Sequence, residues 1–141
     1  GLEEAVRFLA ESAGTKYNLP VKTHFTGDMD RMAEQVKFII YRCIQELIRN
    51  TYKHAAADGA KIDIYNDQKA LQVDYSDDGI GFDAEGLNAS QYASDEFGLF
   101  DMREKLQHLG GTLHIDSTPG AGMAVHLTVP LDGGAEKVIN L

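Results

Sequence analysis

Apolar residues recur at helical spacing over 2–13, at Leu2, Ala5, Val6, Leu9 and Ala13, and the period predicts a helix that Gly14 ends. Val21, Thr23 and Phe25 then alternate with polar neighbours as a short strand. After a polar turn over 27–30, where Asp28 or Asp30 can cap the next helix, Val36, Ile40, Cys43, Ile44 and Leu47 form the core stripe of a long helix from about 31 to 57. Two strands over 61–65 and 71–75, joined by Asn66, Asp67, Gln68 and Lys69, read as a hairpin. Residues 83–96 are polar, acidic and weakly patterned, which predicts a mobile loop over a site. A helix over 97–109 stops at Gly110 and Gly111. Strands over 112–117 and 123–129 come next, joined by Thr118, Pro119 and Gly120, and the tail after Pro130 reads as loosely held.

This order predicts an α+β fold, a two-layer sandwich in which helices cover one face of a mixed, mostly antiparallel sheet. With 141 residues, 43% of them hydrophobic and 25% charged, one ordinary globular domain is expected. A net charge of −9 argues against a broad nucleic-acid or anionic-membrane surface. The single cysteine, Cys43, cannot pair within the chain, so a reducing, cytoplasmic setting is expected. No apolar run approaches the ~20 residues of a membrane span. The chain opens inside a helix, as a piece of a larger protein would.

The candidate chemistry centres on DDGIGFD at 77–83. The alternation of the preceding strand delivers Asp77 to its end, and Gly79 and Gly81 let the backbone turn without a side chain in the way. A carboxylate beside bare backbone can accept from an amine while a flat ring lies against the chain, and adenine fits that description. Alone the pattern is weak, because Asp and Gly cluster in ordinary turns. Upstream, Glu46 and Asn50 stack one turn apart as hard oxygen donors suited to Mg²⁺, and Lys53 and His54 lie a turn further on, within reach of phosphate. Taken singly, each is better read as part of a solvated helical face. Downstream, Gly98 precedes a helix whose N-terminus could meet a phosphate, though taken alone a routine helix start is the better reading.

Three segments, ELIRNTYKHA at 46–55, DDGIGFD at 77–83 and FGLFDMREKL at 97–106, resemble in order the N, G1 and G2 boxes of bacterial sensor histidine kinases. The closing stretch over 110–131 is similar to the end of their ATP-binding domain, and the opening helix resembles the branch of nitrate/nitrite sensors and the DesK-type thermosensor. The resemblance implies the Bergerat-type ATP-binding fold shared with gyrase, Hsp90 and MutL. It implies ATP and Mg²⁺ as cofactors, with Asp77 receiving the adenine amine and Gly79 and Gly81 shaping the pocket. Asn50 would hold the metal, and Lys53 would steady phosphate charge. Glu46 would assist the metal or polarise the acceptor; His54 belongs to the N box, and Gly98 and Leu99 would open the phosphate-side helix. Glu96 stands where the family usually has glycine, so its carboxylate would repel phosphate or stiffen the lid. Asp101 and Met123 also depart from the usual residues.

None of the five histidines, His24, His54, His108, His114 and His126, has the context of a phosphoacceptor; His114 and His126 read as sheet-face residues. The resemblance therefore implies a catalytic domain over 1–131, with 1–14 either the end of a dimerisation helix or a first domain helix. It would present Mg-ATP to a histidine on a separate dimerisation domain, and indirectly to a response regulator. The fragment would be a monomer and the full-length protein a homodimer. Two other readings stand beside it: an ATP-dependent conformational module in which Glu46 activates water, and a binding module whose nucleotide site has decayed at Glu96.

Overall fold

The computed structural model describes residues 1–80 and 98–131, without the side chains of His54, Ala55 and Leu99. Its elements are α1 (Leu2–Tyr17), β1 (Val21–Thr26), α2 (Glu34–Asn50), a π-helical turn (Thr51–Ala55), β2 (Ala60–Asn66), β3 (Ala70–Asp77), α3 (Leu99–His108), β4 (Thr112–Ser117) and β5 (Met123–Pro130). The strands form one sheet in the order β1-β2-β3-β5-β4. Only β1 and β2 pair in parallel, because α2 carries the chain back between them; the other three pairs are antiparallel. The mixed, mostly antiparallel sandwich expected from the pattern is the observed fold.

Strand alternation sorts the two sheet faces. Leu71, Val73 and Tyr75 of β3 and Val125, Leu127 and Val129 of β5 are buried in one core with Val6 of α1, Ile40, Ile44 and Leu47 of α2, and Met102 and Leu106 of α3. Burying each such side chain stabilises the fold by about 1.5–3 kcal/mol before entropy is counted. The opposite face carries one polar residue per strand in a single row, His24, Asp63, Asp74, His126 and His114. There His126 Nδ1 bonds Asp74 Oδ1, and His24 lies 3.6 Å from Asp63. Three of the histidines are thus sheet-face groups.

Several boundaries differ from the pattern. Gly14 does not end α1, which runs on to Tyr17 and closes at Asn18 in the left-handed conformation (φ 53°). The extension puts Tyr17 in a stack with Tyr52, ring centres 4.1 Å apart, and Leu19 N–H caps the Ala13 carbonyl. Those contacts outweigh the roughly 1 kcal/mol that a mid-helix glycine costs. Neither Asp28 nor Asp30 caps α2, which begins at Glu34 behind an extended Ala33. Met29 is buried in the core, and Asp28 is spent locally, accepting from Asp30 N–H and pairing with Arg31. At its other end the predicted single helix gives way to the π turn and stops at Ala56 in the left-handed conformation (φ 48°), short of Ala57.

Cys43 is buried, and burial pushes its thiol up to about 12. The thiolate is the reactive form, so a thiol reagent at pH 8 should label the native chain only as fast as the core opens. Labelling at the rate of a free cysteine, without denaturant, would place Cys43 outside the core.

Candidate functional site

The end of α2 and the π turn carry the upstream residues. Asn50 is 5% exposed, so it faces inward and not onto a solvated helical face. Its carboxamide oxygen accepts no hydrogen bond among the described residues, while the residue itself is engaged in another contact. Glu46, one turn earlier, accepts from Arg49 Nη1 at 2.8 Å. Lys53 is exposed, and the described part of His54 is only its backbone in the π turn.

Asp77 ends β3 on the buried side, as the alternation requires, and is 9% exposed. Its Oδ1 accepts from Gly79 N–H at 2.9 Å and its Oδ2 from Thr51 Oγ1 at 3.0 Å. The second bond fastens the strand end to the helix that carries Asn50. Asp78, next in sequence, points outward and accepts from Asp58 and Gly59 N–H at 2.8 and 3.1 Å, closing the loop ahead of β2. Two adjacent aspartates therefore do different work, one facing the site and one clamping a loop.

Gly98 is the N-cap of α3 with φ +68°, and a Cβ there would stand 2.6 Å from Glu46 Cγ. Glycine is needed both for the backbone angle and for this close approach, which joins the start of α3 to α2. The first N–H groups of a ten-residue helix are thereby set beside the Glu46–Asn50 turn, where they and the helix dipole favour an anion. Asp101 in the first turn of α3 is engaged by Lys105 at 3.0 Å.

The closing turn forms a fourth wall. Gly120 N–H donates to the Ile80 carbonyl, and Gly122 (φ +80°) packs so closely on Asp77 that a Cβ would stand 2.3 Å from its carbonyl oxygen. Met123 is the ladder partner of Asp77 and is buried.

Of the residues singled out from the sequence, Glu46, Asn50, Asp77, Gly79 and Gly98 converge. Leu99 starts α3, Lys53 is exposed nearby, and Gly81, Glu96 and the expected lid over 83–96 lie outside the described residues. Sequence reasoning missed Thr51, Tyr75 and Gly122. A hydroxyl directly after Asn50 and a phenol two places before Asp77 were visible, but nothing in the spacing says that they meet.

Residues 35–133, about 70% of the chain, match the family described as histidine kinase-, DNA gyrase B- and HSP90-like ATPases. The chain belongs to this family. Membership of this ATPase family makes it an ATP-binding domain. It is 34% identical over 122 residues to the signal transduction histidine-protein kinase/phosphatase DegS of Bacillus subtilis, covering 82% of this chain and 31% of DegS. It is 28% identical over 135 residues to the oxygen sensor histidine kinase NreB of Staphylococcus carnosus, covering 93% of this chain and 37% of NreB. The chain thus spans about a third of the length of these two relatives, and these matches bear out the resemblance to the nitrate-sensor and DesK-like branch. The histidine kinase domain of the blue-light activated histidine kinase of Erythrobacter litoralis superposes with a TM-score of 0.71 at 19% identity, covering 99% of this chain and 63% of that one, which shows the shared fold. Among the described residues no helix is long and apolar enough to cross a membrane.

Proposed function

We propose that this chain is the nucleotide-presenting domain of a two-component sensor histidine kinase. It holds Mg-ATP and offers the γ-phosphoryl group to a histidine on a dimerisation domain, from which a response-regulator aspartate receives it. The observation that carries this reading is the convergence of three distant segments, through the Thr51–Asp77 hydrogen bond and the contact of Glu46 with Gly98. One end of the site then has a buried acceptor for a base amine, and the other has a helix N-terminus and oxygen donors for phosphate and metal.

Asp77 takes the exocyclic amine, with Gly79 beside the ring. What fits Mg²⁺ is the donor chemistry: a carboxamide and a carboxylate one turn apart on α2. Mg²⁺ takes few protein ligands and keeps phosphate and water for the rest. Asn50 would hold the ion and Glu46 would support it; the metal supplies charge neutralisation on the phosphates. Lys53 and His54 stand on the phosphate side, and the N–H groups from Leu99 onward face the terminal phosphates. The incoming imidazole nitrogen bonds to the γ-phosphorus, the bond to the β–γ bridging oxygen breaks, and ADP leaves with the electron pair. The protein's part is positioning and charge stabilisation. Pairing of Glu46 with Arg49 supports a positioning role over activation of water.

Residues 1–131 form the catalytic domain, with α1 as its first helix because Leu2, Val6, Leu9 and Ala13 pack into the common core. Residues 132–141, expected as a tail, lie outside the described residues. The fragment is a monomer, the parent protein a cytoplasmic or cytoplasm-facing homodimer. The test mixes this chain with γ-labelled ATP, Mg²⁺ and the separate dimerisation domain of its parent. Acid-labile, base-stable label should appear on the acceptor, none on this chain, and Asn50→Ala should abolish the Mg²⁺-dependent part of ATP affinity. Rapid phosphate release without an acceptor would favour the conformational-ATPase reading, and unchanged Mg²⁺ dependence in Asn50→Ala would remove Asn50 from the site.

A further inference from the structure

Behind the base end of the site, three buried side chains form a chain of hydrogen bonds that nucleotide presentation by itself does not require. Tyr75 and Thr51 are each 1% exposed and Asp77 is 9% exposed. Thr51 Oγ1 lies 2.6 Å from Tyr75 Oη, 3.0 Å from Asp77 Oδ2 and 3.0 Å from the Leu47 carbonyl oxygen.

Counting hydrogens fixes the direction of the chain. Thr51 and Tyr75 have one each; a carboxylate and a backbone carbonyl can only accept. The phenol sits where burial, above all, holds its pKa well above the usual tyrosine range, so it keeps its hydrogen. Its one side-chain partner among the described residues is Thr51, and a buried donor left unmade is costly, so Tyr75 donates to Thr51. The Thr51 hydrogen is then left for Leu47 or Asp77. The Leu47 carbonyl already receives the Thr51 backbone N–H, whereas the carboxylate is the stronger acceptor and has no other claim on that oxygen among the described residues. The order is Tyr75 to Thr51 to Asp77, each bond polarising the next.

We infer that Tyr75 and Thr51 are positioning residues for base selection: together they hold Asp77 as a fixed acceptor and thereby set the preference for a 6-amino purine over a 6-oxo purine. This rests on Asp77 being the base-recognising residue. Gly79 N–H occupies Oδ1 and Thr51 occupies Oδ2, so the carboxylate cannot rotate without breaking two bonds. Each oxygen keeps a further lone pair with which to accept from a base. A 6-amine can donate to it; a 6-oxo group sets acceptor against acceptor. A carboxylate free to turn away would lose that discrimination while still tolerating either base.

The test measures binding of ATP and ITP to the chain and to Thr51→Val, Thr51→Ser and Tyr75→Phe, with thermal unfolding of each. Thr51→Val keeps the shape and removes the hydroxyl, and the ATP-over-ITP preference should fall roughly tenfold, the size expected for a hydrogen bond to a charged group. Thr51→Ser should restore it. Tyr75→Phe, which touches no ligand, should lower the same preference by a smaller factor, and it carries the test if Thr51→Val does not fold. A merely structural role would lower the unfolding temperature and leave the preference unchanged; that result in the folded variants overturns the inference while leaving ATP binding intact. A wild-type chain that binds ATP and ITP equally would overturn both the assignment of Asp77 and this inference.

Discussion

Gly122→Ala should destabilise the chain by about 2–5 kcal/mol and displace Asp77 with it. Two costs combine. At φ +80° an L side chain sits in the left-handed region, worth roughly 1–2 kcal/mol. The added Cβ would also stand 2.3 Å from the Asp77 carbonyl oxygen, which is backbone at a strand end and cannot rotate aside, so overpacking adds about 1–3 kcal/mol. Gly120→Ala is the control, because φ is +83° there but nothing lies within 4 Å of the added carbon. It should lose only the conformational part, about 1–2 kcal/mol. Denaturant unfolding of the pair isolates the clash, and ATP titration of Gly122→Ala should show weakened binding through the shifted carboxylate. Equal stability of the two variants would mean that the strand end yields freely and that Gly122 does not hold Asp77 in place.

Asp77→Asn should weaken ATP binding by about 1–3 kcal/mol, and the loss should not be confined to the ligand. The carboxylate accepts on both oxygens, from Gly79 N–H and from Thr51. An asparagine can keep its oxygen toward Gly79 N–H only by turning its NH₂ toward Thr51, whose hydroxyl must then accept from the amide and donate to the Leu47 carbonyl instead. The variant therefore loses the charge and the acceptor lone pairs offered to the adenine amine, and it exchanges the charge-assisted Thr51–Asp77 bond for a weaker neutral one. Calorimetric titration with ATP and a denaturation curve should both move. If stability falls while ATP affinity holds, Asp77 supports the fold only; if ATP and GTP bind the wild-type chain equally, the adenine assignment fails.

The residues of the site came from the sequence more readily than their geometry did. Helical spacing alone stacks Glu46 on Asn50, and strand alternation alone sends Asp77 inward with Tyr75 while sending Ser76 outward. Motif order then ties 46–55, 77–83 and 97–106 together. What spacing leaves open is whether a helical residue faces solvent or the core: Asn50 read singly as part of a solvated face, and it is buried. Caps were less legible still, since Asp28 and Asp30 are good capping residues that the burial of Met29 pulled into a local turn ahead of α2.

Hydrophobic period, turn residues and motif spacing are local properties of the chain, and they were enough to settle the elements, their order, the α+β class and the family. Which distant groups meet was decided only by packing. Thr51 reaches Asp77 across 26 positions, Gly98 must be glycine because Glu46 lies against it, and Gly122 because the Asp77 carbonyl does. Packing also set where α1 ends, since Tyr17 stacks on Tyr52 beyond a glycine that local propensity would have made a stop. Each depends on groups far apart in sequence sharing a few ångströms of space, a fact that only the assembled sheet and helices create.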